Sequence, residues 1–168
     1  MRQILAAALL LGAVSSPAFA QMPDQEFVNK AAVGGMFEIQ SSRAVLDGGA
    51  NSAEIERFAQ TMIEDHSRAN ETLKAIAADE DLTVPGDLDE KHSAMLEKIE
   101  SAESMAATYA EVQVTAHQET VDLFEQYTSE GGNDALVSFA EETLPTLREH
   151  LDMARDLPGA QPNVRITN

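Results

Sequence analysis

Residues 51–78 read NSAEIERFAQTMIEDHSRANETLKAIAA and carry one repeating pattern. Apolar side chains recur every three or four residues, which predicts one buried face of an amphipathic helix. That face carries Ile55, Phe58, Ala59, Met62, Ala69, Leu73, Ile76 and Ala77. Because Asn51 is followed three residues later by Glu54, a variant of the helix capping box, we place the start of this helix at Asn51. His66 lies in the centre of the apolar face.

The same helical pattern continues through most of the chain. Helix-forming residues dominate, and glycine and proline cluster at the breaks. The predicted helices run from Asp24 to just before Gly48, from Asn51 to about Ala78, over a short segment Leu88–Glu100, from about Ala102 to Glu130, and from Asn133 or Asp134 to Leu157. Four long amphipathic helices with short connections favour an all-α, up-down four-helix bundle, with the short extra helix in the second-to-third connection. Pro145 lies inside the last helix and is expected to kink it.

The two ends of the chain read differently from this helical domain. Residues 1–20 have one basic residue, an apolar run and a final Ala-Phe-Ala, which predicts a cleaved signal peptide. The helical domain then covers residues 21–168, with its core at 24–157 and a disordered tail at 161–168. Export to the periplasm is the expected localisation, with secretion to the medium as the alternative.

The charge balance narrows the choice of partners. The chain has 11 Lys and Arg against 29 Asp and Glu, which gives a net charge of −18. Nucleic acid and anionic membranes would repel such a chain, so we expect a metal ion or a basic protein as partner, and no membrane span after the signal peptide. There is no cysteine, so any metal site would rest on nitrogen and oxygen ligands.

Four polar residues fall on the predicted apolar faces, each on a different long helix. They are Glu38, His66, His117 and His150. Imidazole and carboxylate groups suit divalent transition metals such as zinc, copper, iron or manganese, and helical bundles often hold such sites in their cores. The sequence therefore predicts a metal site formed by these four residues, provided that they lie at one level of the bundle. His92 falls in a polar segment, where we expect it to be exposed and without a role.

A structural interpretation of the same four residues stays open. Buried Glu and His side chains can form an internal polar staple that fixes the register of the helices, in a structural or stress-related interaction protein. If Glu38 pairs with a histidine, acid should loosen the bundle as Glu38 takes up a proton. An enzyme is less well supported, because no histidine has the Glu-x-x-His spacing of di-iron proteins and no nucleophile motif is present.

Several short motifs resemble one bacterial family. They are Phe27-Val28, Gly34-Gly35-Met36 and Glu38 in the first helix, Asp65-His66 and Ala69-Asn70 in the second, Gln113-Val114 and His117 in the third, and Leu144-Pro145 and His150-Leu151 in the last. Over about residues 26–157 they resemble the domain-of-unknown-function 4142 family. The resemblance implies an exported, ferritin-like four-helix bundle and supplies no function. The family usually has Phe-Asp where this chain has Met105-Ala106.

Overall fold

Helices make up most of the chain that the structure describes. The computed structural model describes residues 21–50 and 52–160. Five helices and no strand occur in these residues: α1 (Asp24–Asp47), α2 (Ala53–Asp79), α3 (Glu90–Glu100), α4 (Met105–Glu130) and α5 (Asp134–Arg155). The all-α fold class is confirmed. The predicted signal peptide and the predicted disordered tail lie outside the described residues.

The helix ends follow from side chains that bind free backbone N–H groups. Ser52 caps α2 by accepting a hydrogen bond from the Ile55 amide at 3.2 Å. Asp89 caps α3 through the His92 amide at 2.8 Å, and Asn133 caps α5 through the Leu136 amide at 3.0 Å. These caps satisfy donors that have no partner inside the helix. The capping residue of α2 is therefore Ser52, and Asn51, where we expected the helix to start, lies outside the described residues.

Three helix ends lie two or three residues away from their predicted positions. α3 begins at Glu90 rather than Leu88, and α4 begins at Met105 rather than near Ala102. α5 ends at Arg155, two residues before Leu157. α5 continues through Pro145, and the kink that we expect there stays a prediction.

The four long helices pack pairwise around one core. α1 packs on α2 and α4, and α5 packs on α4 and α2, so that each long helix touches two others. α3 lies across α1 and α4 and is anchored by Ile99, whose side chain is fully buried. None of the helices in the part that the structure describes is long and apolar enough to cross a bilayer.

Aromatic side chains close one end of this core. The Phe27 ring stacks on the Tyr127 ring with centroids 3.9 Å apart, and Phe124 meets Phe27 edge to face at 5.1 Å. The Tyr127 hydroxyl donates a hydrogen bond of 2.6 Å to Asp24 at the start of α1. Contacts of this kind hold α1 against α4 and set the height of one helix relative to the other.

Candidate metal centre

A cluster of three histidines lies in the buried core between the long helices. His66 comes from α2, His117 from α4 and His150 from α5, and all three are buried. Their ring centroids form a nearly equilateral triangle with sides of 5.4, 5.6 and 5.7 Å. One ring nitrogen from each lies within 4.8 Å of those of the other two. Three histidines from three separate helices thus lie at one level of the fold.

Hydrogen bonds fix the tautomers of two of these rings. His117 Nδ1 lies 3.0 Å from the backbone carbonyl of Gln113. A carbonyl only accepts, so Nδ1 carries the proton and Nε2 presents a lone pair. His150 Nε2 lies 3.1 Å from Asp65 Oδ2, so by the same reasoning Nε2 carries the proton and Nδ1 presents the lone pair.

Each of the three rings keeps one buried nitrogen that has no hydrogen-bond partner among the described residues. These atoms are His66 Nε2, His117 Nε2 and His150 Nδ1. A buried polar atom without a partner costs free energy, and native proteins rarely tolerate several together. Three such nitrogens on neighbouring rings are what a metal site presents before the ion binds.

Burial keeps the three rings uncharged. Desolvation, with a contribution from the neighbouring histidines, lowers the pKa of His66 well below its ordinary value of 6.5. Desolvation also lowers the pKa of His117 to about 3 and lowers that of His150, although hydrogen bonding to Asp65 opposes the shift. The neutral imidazole is the form that binds metals, so at neutral pH a metal ion would displace no proton from these rings.

Glu38 lies beside the cluster but outside the group of three. Its Oε1 is 3.8 Å from His117 Nδ1, the ring nitrogen that already donates to Gln113. Burial raises the pKa of Glu38 to about 8, and the Gln113 amide opposes that shift. Glu38 and His117 are therefore both uncharged at neutral pH and form no ion pair. The structure brings together three of the four predicted residues and places the fourth against the outer side of one ring.

This arrangement corrects the expected effect of acid on Glu38. Glu38 already holds its proton below about pH 8, so acidification adds no proton to it. Within the cluster, the groups that take up protons in acid are the histidines, whose charged forms the fold disfavours.

Two residues of the site carried little signal in the sequence. Gln113 is fully buried on α4, where its backbone carbonyl orients His117 and its side-chain amide N–H donates to Ser41 Oγ at 3.1 Å. It precedes His117 by one helical turn, the spacing that could have indicated the contact. The sequence showed Asp65 only as an acidic residue directly before His66. It serves His150 instead, across the gap between α2 and α5.

His92 differs from the expectation of an exposed side chain. Its side chain is 16% exposed, and its Nδ1 lies 2.6 Å from the capping carboxylate of Asp89. Its ring centroid is 5.5 Å from that of Phe37. His92 is thus a packing residue of α3, apart from the cluster.

The fold and the site together describe an all-helical protein with a buried three-histidine cluster. The chain belongs to the family described as domain of unknown function DUF4142, whose family model matches residues 10–157. No curated protein matches the chain. Among solved structures it is similar to one titled "CopM in the Cu(II)-bound form", with a TM-score of 0.69 and 16% sequence identity over 80% of this chain and 95% of that one. At this identity the likeness shows the shared helical fold.

Proposed function

We propose that this protein binds one divalent transition metal ion through His66, His117 and His150. The observation that carries the proposal is that three buried histidines each have a ring nitrogen within 4.8 Å of the other two. Each ring also has a buried nitrogen without a hydrogen-bond partner among the described residues. Metal–nitrogen bonds of about 2.0–2.1 Å place three ligands of one ion about 3.4–3.6 Å apart in tetrahedral or trigonal geometry. The present spacing of up to 4.8 Å therefore needs the ring nitrogens to approach one another by about 1.2 Å when the ion binds.

Copper(II) is the ion that we favour. Three neutral imidazoles suit copper and zinc better than manganese, which prefers oxygen ligands. The solved structure with a similar fold is titled as a Cu(II)-bound form, which supports testing copper first. Zinc and iron are the alternatives that the same donor set admits.

Glu38 has a supporting part in this proposal. A divalent ion surrounded by neutral histidines in a buried site leaves its charge uncompensated. Glu38 is the buried carboxyl group next to His117, and its ionised form would offset part of that charge. Our sequence prediction had Glu38 as a direct ligand, and direct ligation would require its carboxylate to pass the His117 ring.

The biological setting follows from the same proposal. We infer an exported protein, held in the periplasm or secreted, that binds metal there. The pairing of α1 with α2 and α4, and of α5 with α4 and α2, supports a ferritin-like up-down four-helix bundle with α3 in the second-to-third connection. The strongly acidic composition would attract cations toward the site and is compatible with a basic protein partner.

The polar-staple alternative fits the cluster less well. A staple satisfies its polar groups by pairing them with one another. In the part of the chain that the structure describes, five buried side-chain atoms have no partner: Glu38 Oε2, His66 Nε2, Gln113 Oε1, His117 Nε2 and His150 Nδ1. A metal ion would satisfy three of these atoms at once. The staple remains the second candidate, because Asp65 does pair with His150 across two helices.

Metal analysis of the purified protein and its histidine variants tests the proposal. We expect one copper ion per chain after addition of Cu(II) and removal of excess, and loss of that copper in His66→Ala, His117→Ala and His150→Ala. His92→Ala is the matched control, because it removes a histidine outside the cluster and should keep the copper. Absence of stoichiometric copper, zinc, iron and manganese in a folded wild-type protein would overturn the proposal.

A further inference from the structure

His66 differs from the other two histidines in how its second ring nitrogen is placed. His117 Nδ1 and His150 Nε2 are held by hydrogen bonds. His66 Nδ1 has no hydrogen bond to a described residue, and it is not among the fully buried atoms without a partner. His66 is also the one member of the cluster that lines a small cavity of about 20 Å³. That volume holds about one water molecule. The cluster therefore has a side that small molecules can reach, and His66 lies on it.

Asn70 separates this cavity from a larger surface pocket. The surface pocket measures about 310 Å³ and is lined by Ala32, Met36, Asn70, Lys74, Val84, Pro85 and Gly86. Asn70 is the one residue that lines both spaces. It stands one helical turn after His66 on α2, so it lies directly outside His66 on the same face of the helix.

The side chain of Asn70 is held in place by packing alone. It makes no hydrogen bond to a described residue, and it rests against Gly35 of α1. A Cβ atom at Gly35 would come within 2.3 Å of Asn70 Oδ1, so glycine at this position makes the room that the amide occupies. An amide without hydrogen bonds can rotate away at little cost, and its oxygen can contact a passing cation.

We propose that the metal ion reaches the histidine cluster through this route, from the surface pocket past Asn70 to His66. The proposal rests on the proposed function and names the residue that controls access to the site. Asn70 acts on the rates of binding and release, because it lines the way in and is not one of the converging ligands. His66 is the first ligand that an entering ion meets.

Stopped-flow mixing of the purified protein with Cu(II) alone tests this route. Asn70→Ala should widen the passage, and both the loading rate and the rate of release to a chelator should rise about tenfold, as for a removed gate. Asn70→Leu fills the same space with an apolar group and should slow both rates. The dissociation constant should change far less than either rate. Asn29→Ala is the matched control, since Asn29 is an exposed asparagine elsewhere on the surface, bonded to Gln25.

A charge change at the mouth gives an independent measurement. Lys74 is exposed and lines the surface pocket, where it repels an entering cation. Lys74→Gln should raise the loading rate about twofold at low ionic strength, and the gain should vanish in about 1 M salt. Lys98→Gln on α3 removes a lysine that does not line the pocket and should have a smaller effect.

The possible results distinguish a failure of the proposed entry route from a failure of the proposed metal site. Loading and release rates in both Asn70 variants equal to those of Asn29→Ala would overturn the route while the proposed function stands. A loss of affinity in Asn70→Ala as large as in His66→Ala would also overturn it, because Asn70 would then belong to the site. A wild-type protein that takes up no metal would overturn the proposed function and the route together.

Discussion

The Asp65 carboxylate performs two tasks at once. Its Oδ2 accepts a hydrogen bond from His150 Nε2, and its Oδ1 accepts one of 3.2 Å from Arg68. Because Asp65 is held by Arg68, it fixes both the tautomer and the ring orientation of His150. Carboxylates in this position also make the opposite ring nitrogen a better ligand. The preorganisation of the site thus depends on a residue that touches no metal.

Removing this carboxylate should weaken metal binding without removing a ligand. We expect Asp65→Ala to lower the affinity for Cu(II) about 10- to 100-fold, because His150 then loses the group that orients it. Isothermal titration with Cu(II) measures the change. Glu64→Ala is the matched control, since Glu64 also binds Arg68 and makes no contact with His150. An equal loss of affinity in both variants would assign the effect to Arg68 or to surface charge.

Glu38 should give the apo protein an unusual dependence on pH. Its folded pKa is raised to about 8 from an ordinary 4.5, so the folded state holds a proton that the unfolded state releases. The stabilisation that this proton provides is complete below pH 4.5 and is lost as the pH rises toward 8. The slope is up to about 1.4 kcal/mol per pH unit.

Glu38→Gln should remove that slope, because the amide keeps the uncharged shape and does not titrate. We expect the free energy of unfolding of the metal-free variant to exceed that of the wild type at pH 9, and the two to agree closely at pH 4. Urea unfolding followed by circular dichroism at several pH values measures the difference. A difference between variant and wild type that does not change with pH would contradict the raised pKa.

At the scale of helices, the caps show which ends depend on a single side chain. Ser52, Asp89 and Asn133 accept hydrogen bonds from the first turns of α2, α3 and α5. Ser104 stands at the same place before α4, and its side chain makes no capping bond. The start of α4 therefore has no capping hydrogen bond from Ser104 to lose.

This contrast predicts different costs for similar substitutions. Ser52→Ala and Asp89→Ala should each destabilise the protein by about 1 kcal/mol, the ordinary cost of a lost N-cap. Ser104→Ala should cost close to nothing. Thermal unfolding measures all three, and hydrogen exchange should show the loss in Asp89→Ala concentrated in α3. A cost for Ser104→Ala equal to that of Ser52→Ala would contradict the assignment of caps.

Helix periodicity predicted the angular position of most core residues but gave no information on height along the helix axis. Ile55, Phe58, Met62 and Leu73 were expected on the buried face of α2 and are buried. Phe37 was missed because α3 packs against that side of α1, where the His92 ring lies 5.5 Å from the Phe37 ring. Gln113 was missed because it is a polar residue buried between α4 and α1, where it bonds to Ser41. A pattern within one helix cannot show what a different helix will cover.

For the candidate site as well, periodicity predicted which side chains point inward and did not predict which of them meet. Periodicity alone predicted the inward orientation of His66, His117 and His150, and their burial confirms it. Whether they meet depends on the lengths of the connections and on the packing that sets the relative height of α2, α4 and α5. The directions of the rings depend on the Gln113 carbonyl and on Asp65, which are tertiary contacts. Glu38 shows the limit, since its inward angle did not reveal that it would face the far side of His117.

For the whole molecule, metal binding and folding should be linked. The three nitrogens converge only in the folded chain, so an ion bound there stabilises the native state by mass action, by about 2.7 kcal/mol at a free concentration 100 times the dissociation constant. We therefore expect Cu(II) to raise the melting temperature of the wild type and of His92→Ala, and to leave that of His117→Ala unchanged. Differential scanning calorimetry with and without a chelator measures these shifts. A polar staple predicts instead that His117→Ala destabilises the fold equally in both conditions and that the wild type gains nothing from the metal. The comparison of the two proteins with and without copper thus distinguishes a metal centre from a purely structural cluster.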